Sequence, residues 1–365
     1  MIDFRYHIVS LISVFLALAV GIILGAGPLQ GTLGEQLSGQ VEQLREERND
    51  LRAELDETTL DLESTDRYVE AVGPELVTGS LVGRSVAVVG TGELDDDWYE
   101  PIAEQLAVAG ASVSSQVDLT SAWTDADAQD DRDAAADETR LATGEPDGSS
   151  EEALATALVM ALVEEDPLDP EQLSTDAQDL LTMLSDDGLV DVATAPTAPA
   201  EAVLVVVPQR AEEDASDGTQ TPTAGDGATE EESTDDAGAA AVQDQLQVVV
   251  AAESAVGAVV VAGPDLSDGD LISWVRDDEQ TTSTVSSVAQ VGEAPGQINV
   301  PLALAAELQD VTGQYGLDDA ATAAVPPLQE PEEPEEAATP ESSDGATGDD
   351  GEGALDGSTD EPTDQ

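Results

Sequence analysis

A short segment rich in glycine and aspartate contains the residue types most suited to chemistry in this sequence. Gly90-Thr-Gly92 follows an apolar run, and Asp95, Asp96 and Asp97 come shortly afterwards. Glycines at the end of a strand are typical of dinucleotide-binding loops, where backbone amides hold a pyrophosphate. Here an aspartate replaces the third glycine of that pattern, and three carboxylates would repel a phosphate. The segment therefore disfavours a nucleotide site.

The same three aspartates could in principle attract a hard cation such as calcium, which prefers oxygen ligands. Three adjacent side chains cannot all point at one ion, however. A solvated first turn of a helix, where acidic residues favour the helix dipole, is the simpler interpretation.

Side chains for soft-metal binding or nucleophilic catalysis are scarce. The chain has no cysteine, its one histidine is His7, and its methionines are Met1, Met160 and Met183. Copper(I) prefers Cys and Met, and copper(II) prefers imidazole. No histidine-based triad or zinc site can form after the first few residues. We therefore expect no enzyme and no certain cofactor, with Met160 in a hydrophobic core.

An apolar run near the amino terminus predicts a membrane helix. Residues 8–26 carry no charge, and about 19 such residues are enough to cross the hydrocarbon layer as a helix. A cleaved signal peptide is the alternative, but its apolar region is usually only about 7–15 residues long. Arg5 precedes the run and a long acidic chain follows it, so we expect a single-pass protein of the cell membrane with a cytoplasmic amino terminus and an extracytoplasmic carboxyl-terminal domain.

Two patterns predict self-association. Small residues four apart line one face of the membrane helix, and apolar residues then alternate at spacings of four and three as in a coiled coil. Arg48 occupies one position of that repeat and could fix its register. The alternative is one long amphipathic helix lying on its own domain. The residues expected at the contacts are Ala17, Gly21, Gly25, Leu37, Val41, Leu44, Leu51, Leu55 and Leu62, with Val69 at the end of the repeat.

The middle of the chain predicts an α/β fold. A short apolar strand at 85–90 is followed by a helix at about 98–109 and a second strand at 113–119, and strands at 202–207 and 257–262 extend the pattern. Continuous apolar strands are typical of a parallel sheet covered on both faces. We therefore predict a Rossmann-like parallel-sheet domain behind the membrane helix and the coiled-coil stalk.

The predicted domain organisation has four parts. Residues 1–30 form the membrane anchor, 31–72 the coiled-coil helix, 73–324 the extracytoplasmic α/β domain, and 325–365 a disordered acidic tail. Acidic inserts at 125–150 and 211–238 have no apolar period and are expected to be surface loops. With 80 acidic against 10 basic residues, the net charge of −70 argues against nucleic acid as a partner.

Several motifs give the chain a resemblance to a known family. They are Ile2-Asp-Phe-Arg-Tyr-His-Ile-Val-Ser-Leu11, Val14-Phe-Leu-Ala-Leu-Ala-Val-Gly21, Leu24-Gly25, Leu81-Val-Gly83, Pro295-Gly296, Leu302-Ala-Leu304 and the closing Gly313-Gln-Tyr-Gly316. Together they resemble the actinobacterial copper transporter family over roughly residues 1–318. The resemblance implies an oligomeric envelope protein in copper efflux or homeostasis and makes copper a possible ligand. It points to Pro295, Gly296, Gly313, Gln314, Tyr315 and Gly316 as family motif residues.

A second function fits the predicted architecture. An anchored coiled coil that carries an acidic domain could serve as a scaffold for an envelope protein partner, such as a wall hydrolase in cell separation. One membrane helix cannot enclose a pore, so transport would need an oligomer or a partner. Copper handling and scaffolding are the two alternatives that the sequence leaves open.

Overall fold

The computed structural model describes residues 4–26, 28–143, 148–209, 231–267 and 269–328. Its helices are α1 Phe4–Ala26, α2 Pro28–Val77, α3 Asp96–Ala109, α4 Gln129–Thr143, α5 Ser150–Val163, α6 Thr175–Asp186, α7 Glu231–Val256, α8 Leu271–Asp277, α9 Glu279–Thr282 and α10 Ala294–Glu307. Its strands are β1 Ser85–Gly90, β2 Ser112–Leu119, β3 Glu165–Asp166, β4 Asp169–Leu173, β5 Val190–Thr194, β6 Ala202–Val206, β7 Val259–Ala262, β8 Ser286–Val288 and β9 Gln314–Tyr315. The described residues from 78 to 328 are called the head below.

The head is a mixed α/β structure around a mostly parallel sheet. Seven strands lie in the order β5-β2-β1-β6-β7-β8-β9, and all neighbours are parallel except β2 and β5. The central strands are apolar throughout and are buried on both faces, as in β6 Ala202–Val206. The α/β prediction is thus confirmed, whereas a Rossmann-like classification stays a prediction.

Helices cover both faces of this sheet. On one face, α4 to α8 enclose a core that includes Trp123, Leu158 and Leu184. On the other face, α3, α10 and the end of α2 enclose a second core that includes Ile102, Leu204 and Leu304. The antiparallel hairpin β3–β4 lies outside the main sheet.

The acidic segment 125–150 differs from its expectation. A surface loop was predicted there, but α4 occupies Gln129–Thr143 and buries Arg132. The Arg132 guanidinium donates to the carbonyl oxygens of Ala122 and Asp125, at 3.0 and 2.6 Å, and lies 3.9 Å from a carboxylate oxygen of Asp244. The burial of one arginine thus docks a helix that is otherwise rich in aspartate, which composition alone does not reveal.

Two other predicted boundaries also differ. Most of the insert 211–238 lies outside the described residues, but 231–238 belong to α7 instead of a loop. The long helix does not stop at Gly73-Pro74, because α2 continues to Val77 with Pro74 inside it. Of the predicted tail, 329–365 lie outside the described residues.

Candidate functional site

A cleft of about 820 Å³ opens at the carboxyl ends of the parallel strands. Its walls are the segments that follow β1, β6, β7 and β8. The chain passes from β1 to β2 on one side, whereas β6 lies on the other side of β1. In open α/β sheets, ligands commonly bind outside the carboxyl ends of the strands where the winding changes direction. This cleft is therefore the candidate functional site of the head.

Carboxylates dominate the cleft. Five acidic side chains line it, and none of the described residues that line it is basic; the acids are Glu93, Asp95, Asp97, Asp265 and Glu293. The other lining residues are Trp98, Pro208, Gln209, Pro264, Gln290 and Gly292. Such a lining repels phosphates and attracts cations. The geometry thus agrees with the sequence-based argument against a nucleotide.

The three consecutive aspartates begin α3. Asp95 is the N-cap residue, and its side chain accepts a hydrogen bond of 2.9 Å from the backbone amide of Asp97. Asp96 and Asp97 lie in the first turn, where negative charge is favourable. Over the described ranges, no group of three or more His, Cys, Asp or Glu side chains is arranged to hold a metal ion. Asp95, Asp96 and Asp97 thus form the capped first turn of α3.

Trp98 supplies the aromatic surface of the cleft. Its ring packs so closely on Gly292 that a Cβ built there would lie 2.7 Å from Cζ3, so only glycine fits. Its buried Nε1 has no hydrogen-bond partner among the described residues. An indole beside carboxylates suits a cationic group, because the ring face attracts positive charge.

Asp118 supports the segment after β1, which forms one wall of the cleft, and no sequence motif pointed to this residue. It lies in β2 and is 5% exposed. One carboxylate oxygen accepts from the Leu94 amide at 3.3 Å, and the other would lie 2.4 Å from a Cβ built on Gly90. Burial raises the pKa of Asp118, with smaller contributions from the charges of Asp191 and Glu93. An acid inside the apolar run Val117–Leu119 was the signal available in the sequence.

The Pro295-Gly296 motif supports the opposite wall. Gln290, in the segment after β8, has a φ of 63°. A Cβ on Gly296 would lie 2.2 Å from the Gln290 carbonyl oxygen, so glycine allows the start of α10 to press against this segment. Pro295 lies in the first turn of α10, where proline is well tolerated.

The closing motif supports the same wall through β9. The Ala289 amide donates to the Tyr315 carbonyl at 3.0 Å, and the Leu317 amide donates to the Gln290 side chain at 3.0 Å. The Gln314 side chain is buried, accepts from Ser287 Oγ at 2.5 Å and donates to the Val285 carbonyl at 3.0 Å. Both family motifs thus hold one side of the cleft, although neither lines it.

A buried arginine ties this network together. Arg276 donates to Ser287 Oγ at 2.8 Å, to the Tyr315 carbonyl at 2.8 Å and to an Asp318 carboxylate oxygen at 2.7 Å. Its side chain is 3% exposed. Burial raises the pKa of Asp318, but the hydrogen bond and charge of Arg276 outweigh it, so the net shift is downward. Gly313 and Gly316 are the remaining residues of the motif. A Cβ on Gly313 would lie 2.5 Å from the Tyr315 hydroxyl oxygen, so glycine leaves room for that ring.

Glu307, at the end of α10, is a buried acid beside this network. It is 4% exposed, and one of its carboxylate oxygens has no hydrogen-bond partner among the described residues. Burial raises its pKa to about 7, although hydrogen bonds with Ser286 and Thr312 oppose the shift.

The residues predicted to mediate self-association lie on α1 and α2. Ala17 and Gly21 are in α1, and by length and composition Phe4–Leu24 is the one helix within the described ranges that could cross a membrane. Gly25 and Leu37 belong to these helices, but their side-chain surroundings lie outside the described residues. The other predicted contacts, Val41, Leu44, Leu51, Leu55 and Leu62, are all exposed on α2. Val69, at the end of the predicted repeat, packs on the core of the head.

Comparisons with known proteins agree with the motifs. Residues 1–326 match the family model described as "Copper transport outer membrane protein, MctB". The protein named "Copper transporter MctB" from Mycobacterium tuberculosis (strain ATCC 25618 / H37Rv) is 35% identical over 133 residues, which is 34% of this chain and 40% of that protein. Its namesake from Mycobacterium leprae (strain TN) is 32% identical over 133 residues, with the same two shares.

The aligned region thus spans less than half the length of these relatives. The family model, in contrast, extends from the membrane helix through the closing motif. The chain therefore belongs to the family described as copper transport outer membrane protein, MctB.

Proposed function

We propose that this protein acts in copper efflux or homeostasis at the cell membrane. Family membership is the observation that supports this role, together with relatives named copper transporters. In the proposed arrangement α1 is a single-pass anchor. Arg5 stays on the cytoplasmic side, and the acidic head lies outside the cytoplasm.

Copper would be cargo and not a resident cofactor. The chain has no cysteine, and the described residues form no cluster of metal-binding side chains. The five carboxylates of the cleft would raise the local concentration of a cation without chelating it tightly. We therefore expect copper handling to depend on the negative potential of the cleft or on an assembly of several chains.

Deletion of the gene tests the role directly. The expected result is increased copper accumulation and copper sensitivity, restored by the full chain but not by a chain that starts after α1. Normal copper handling with unseparated cells would contradict the proposal. That outcome would favour the scaffold function, which the exposed apolar side of α2 supports.

A cleft variant tests which part of the head takes part. Asp95→Asn, Asp97→Asn, Asp265→Asn and Glu293→Gln together remove four cleft charges, and asparagine at position 95 can still cap α3. The matched control removes four exposed charges elsewhere through Glu165→Gln, Glu171→Gln, Asp179→Asn and Asp186→Asn. We expect only the first variant to lose complementation at equal protein level. Equal complementation by both would exclude the cleft.

Orientation can be measured separately because the chain lacks cysteine. A Thr182→Cys variant, at an exposed position of the head, should react with a membrane-impermeant maleimide in intact cells. Labelling only after lysis would place the head in the cytosol.

A further inference from the structure

One side of α2 carries a row of apolar residues that are exposed. Val41, Leu44, Leu51, Leu55 and Leu62 are between 43% and 65% exposed. Their spacings of three, seven, four and seven residues keep them on one side of the helix. These five residues are called the free face of α2. Leaving them in water costs free energy that burial against a partner would recover, at about 25 cal/mol per Å².

The structure shows where the free face ends. Beyond Leu62 the same side of α2 turns onto the head, where Val69 packs on the core and Gly73 lies against Ile298. From Val41 to Leu62 the helix is about 32 Å long at 1.5 Å per residue. Thr58 and Thr65 fall in the repeat near this end, and their hydroxyls bond to carbonyl oxygens of α2 itself. A partner helix thus has room along the membrane-proximal half, but must diverge before the head.

The charges beside the free face identify the partner. In the heptad defined by this face, Glu47 takes a g position and Arg52 the following e position. In a parallel pair of identical helices, g of one helix faces the next e of the other, so Glu47 of each copy meets Arg52 of its partner. Arg48, at an a position, lies beside the second copy's Glu47 in the same arrangement. In an antiparallel pair e faces e, which would bring Arg45 and Arg52 together.

We propose that a second copy of this chain covers the free face, forming a parallel two-stranded coiled coil that ends where each α2 meets its own head. The Glu47–Arg52 pair favours the parallel arrangement, and the one repulsive g–e pair, Asp61 with Asp66, lies at the end where the two helices diverge toward their heads. Anchoring both copies in one membrane by α1, which rests on the proposed function, adds to it by orienting the helices alike and raising their effective concentration.

Cysteine scanning tests the proposal on the full chain, in membranes and in detergent. Since the natural chain has no cysteine, each variant carries one thiol: Leu44→Cys, Leu51→Cys or Leu55→Cys on the free face. The matched control is Leu60→Cys, an equally exposed leucine on the opposite side. We expect about tenfold more disulfide-linked dimer at each free-face position than at Leu60, because only facing residues bring two Cβ atoms within bonding distance.

The pattern of crosslinks decides between arrangements. Dimers at all three free-face positions support a parallel, in-register pair, whereas crosslinking at a single position would mean an antiparallel pair and overturn the proposal. Monomers throughout, or crosslinks to a different protein, would also overturn it. These outcomes are independent of copper, so failure here leaves the proposed function standing.

Charge exchange tests the register. Glu47→Arg should lower the dimer fraction in analytical ultracentrifugation about fivefold, and adding Arg52→Glu should restore it, since the double variant rebuilds the pair with reversed sign. Glu46→Arg, on the outer side, is the control and should change nothing. Tryptophan emission from Trp98, Trp123 and Trp274 confirms that each variant keeps a folded head. Absence of rescue with a folded head would contradict the proposed register.

Discussion

The two ends of α2 place the same kind of residue in opposite surroundings. Near the membrane its apolar side chains are exposed, as Leu51 and Leu55 are, at 59% and 65%. At the other end Val77 is completely buried, and Gly73 is packed against Ile298 of α10. One helix thus passes from a face with no covering among the described residues to a face built into a core. The head buries its core within one chain, whereas the free face would be buried only in the proposed dimer.

This comparison separates changes that act on folding from changes that act on assembly. Substitutions at the head end should alter the free energy of unfolding of a single chain. Substitutions on the free face should alter association and leave the head intact. All three tryptophans lie in the head, so their emission reports its unfolding in urea separately from the state of α2.

Removal of the Arg276 guanidinium should have the largest effect on the stability of the head. Arg276→Met leaves the Asp318 carboxylate without its cationic partner and removes one of the two backbone and side-chain donors to the Tyr315 carbonyl. We expect a loss of about 3–5 kcal/mol in the free energy of unfolding, measured in urea by tryptophan emission. The control is Arg140→Met, whose partner Asp137 is largely exposed and whose loss should cost less than about 1 kcal/mol. Equal effects would contradict the buried role of Arg276.

The next effect concerns pH. Glu307 has a pKa of about 7 in the folded chain against an ordinary 4.5. Between these values the unfolded chain ionises while the folded chain keeps the proton, so stability falls as pH rises and levels off above pH 7. Glu307→Gln should remove this dependence and stabilise the head at pH 8 by on the order of 2 kcal/mol.

The measurement compares the free energy of unfolding of the Glu307→Gln variant with that of the natural chain at each pH from 4 to 8. That difference is needed because Asp118 and Asp244 also have raised pKa values. Glu171→Gln, at an exposed position, should change stability at no pH. A Glu307→Gln difference that stays constant with pH would show that Glu307 does not titrate in this range.

The smallest expected changes in stability come from alanine substitutions at two glycines of α2. Gly39→Ala adds a Cβ that meets nothing within 4 Å, and should stabilise the helix by about 1 kcal/mol. Gly73→Ala adds a Cβ 2.2 Å from the Ile298 side chain, and should instead destabilise the head by about 1–3 kcal/mol through overpacking. Circular dichroism measures the first change and tryptophan emission the second. Stabilisation by both would mean that α2 does not dock on the head.

The sequence predicted the elements that carry their own local signal. Strand β1, Ser85–Gly90, was predicted with its observed ends, and α3 was placed within two residues at each end. Their signals are the continuous apolar run of β1 and the acidic first turn of α3 that follows its N-cap residue Asp95. These signals are local, so distant parts of the chain are not needed to read them.

Elements that depend on distant contacts were not predicted. Strand β8 is only three residues long and contains two serines, and it is defined by pairing with β7 and β9. Helix α4 depends on Arg132 contacts with the segment before it and with α7. The cleft itself gathers residues from four separate segments, so its acidic character could not be derived from the Asp95–Asp97 run alone.

The docking of α2 on α10 has a mechanical consequence. Gly73 bears on Ile298, and α10 begins at Ala294, immediately after the cleft residue Glu293. A displacement of α2 at this contact would therefore move the start of α10 and, with it, one lip of the acidic cleft.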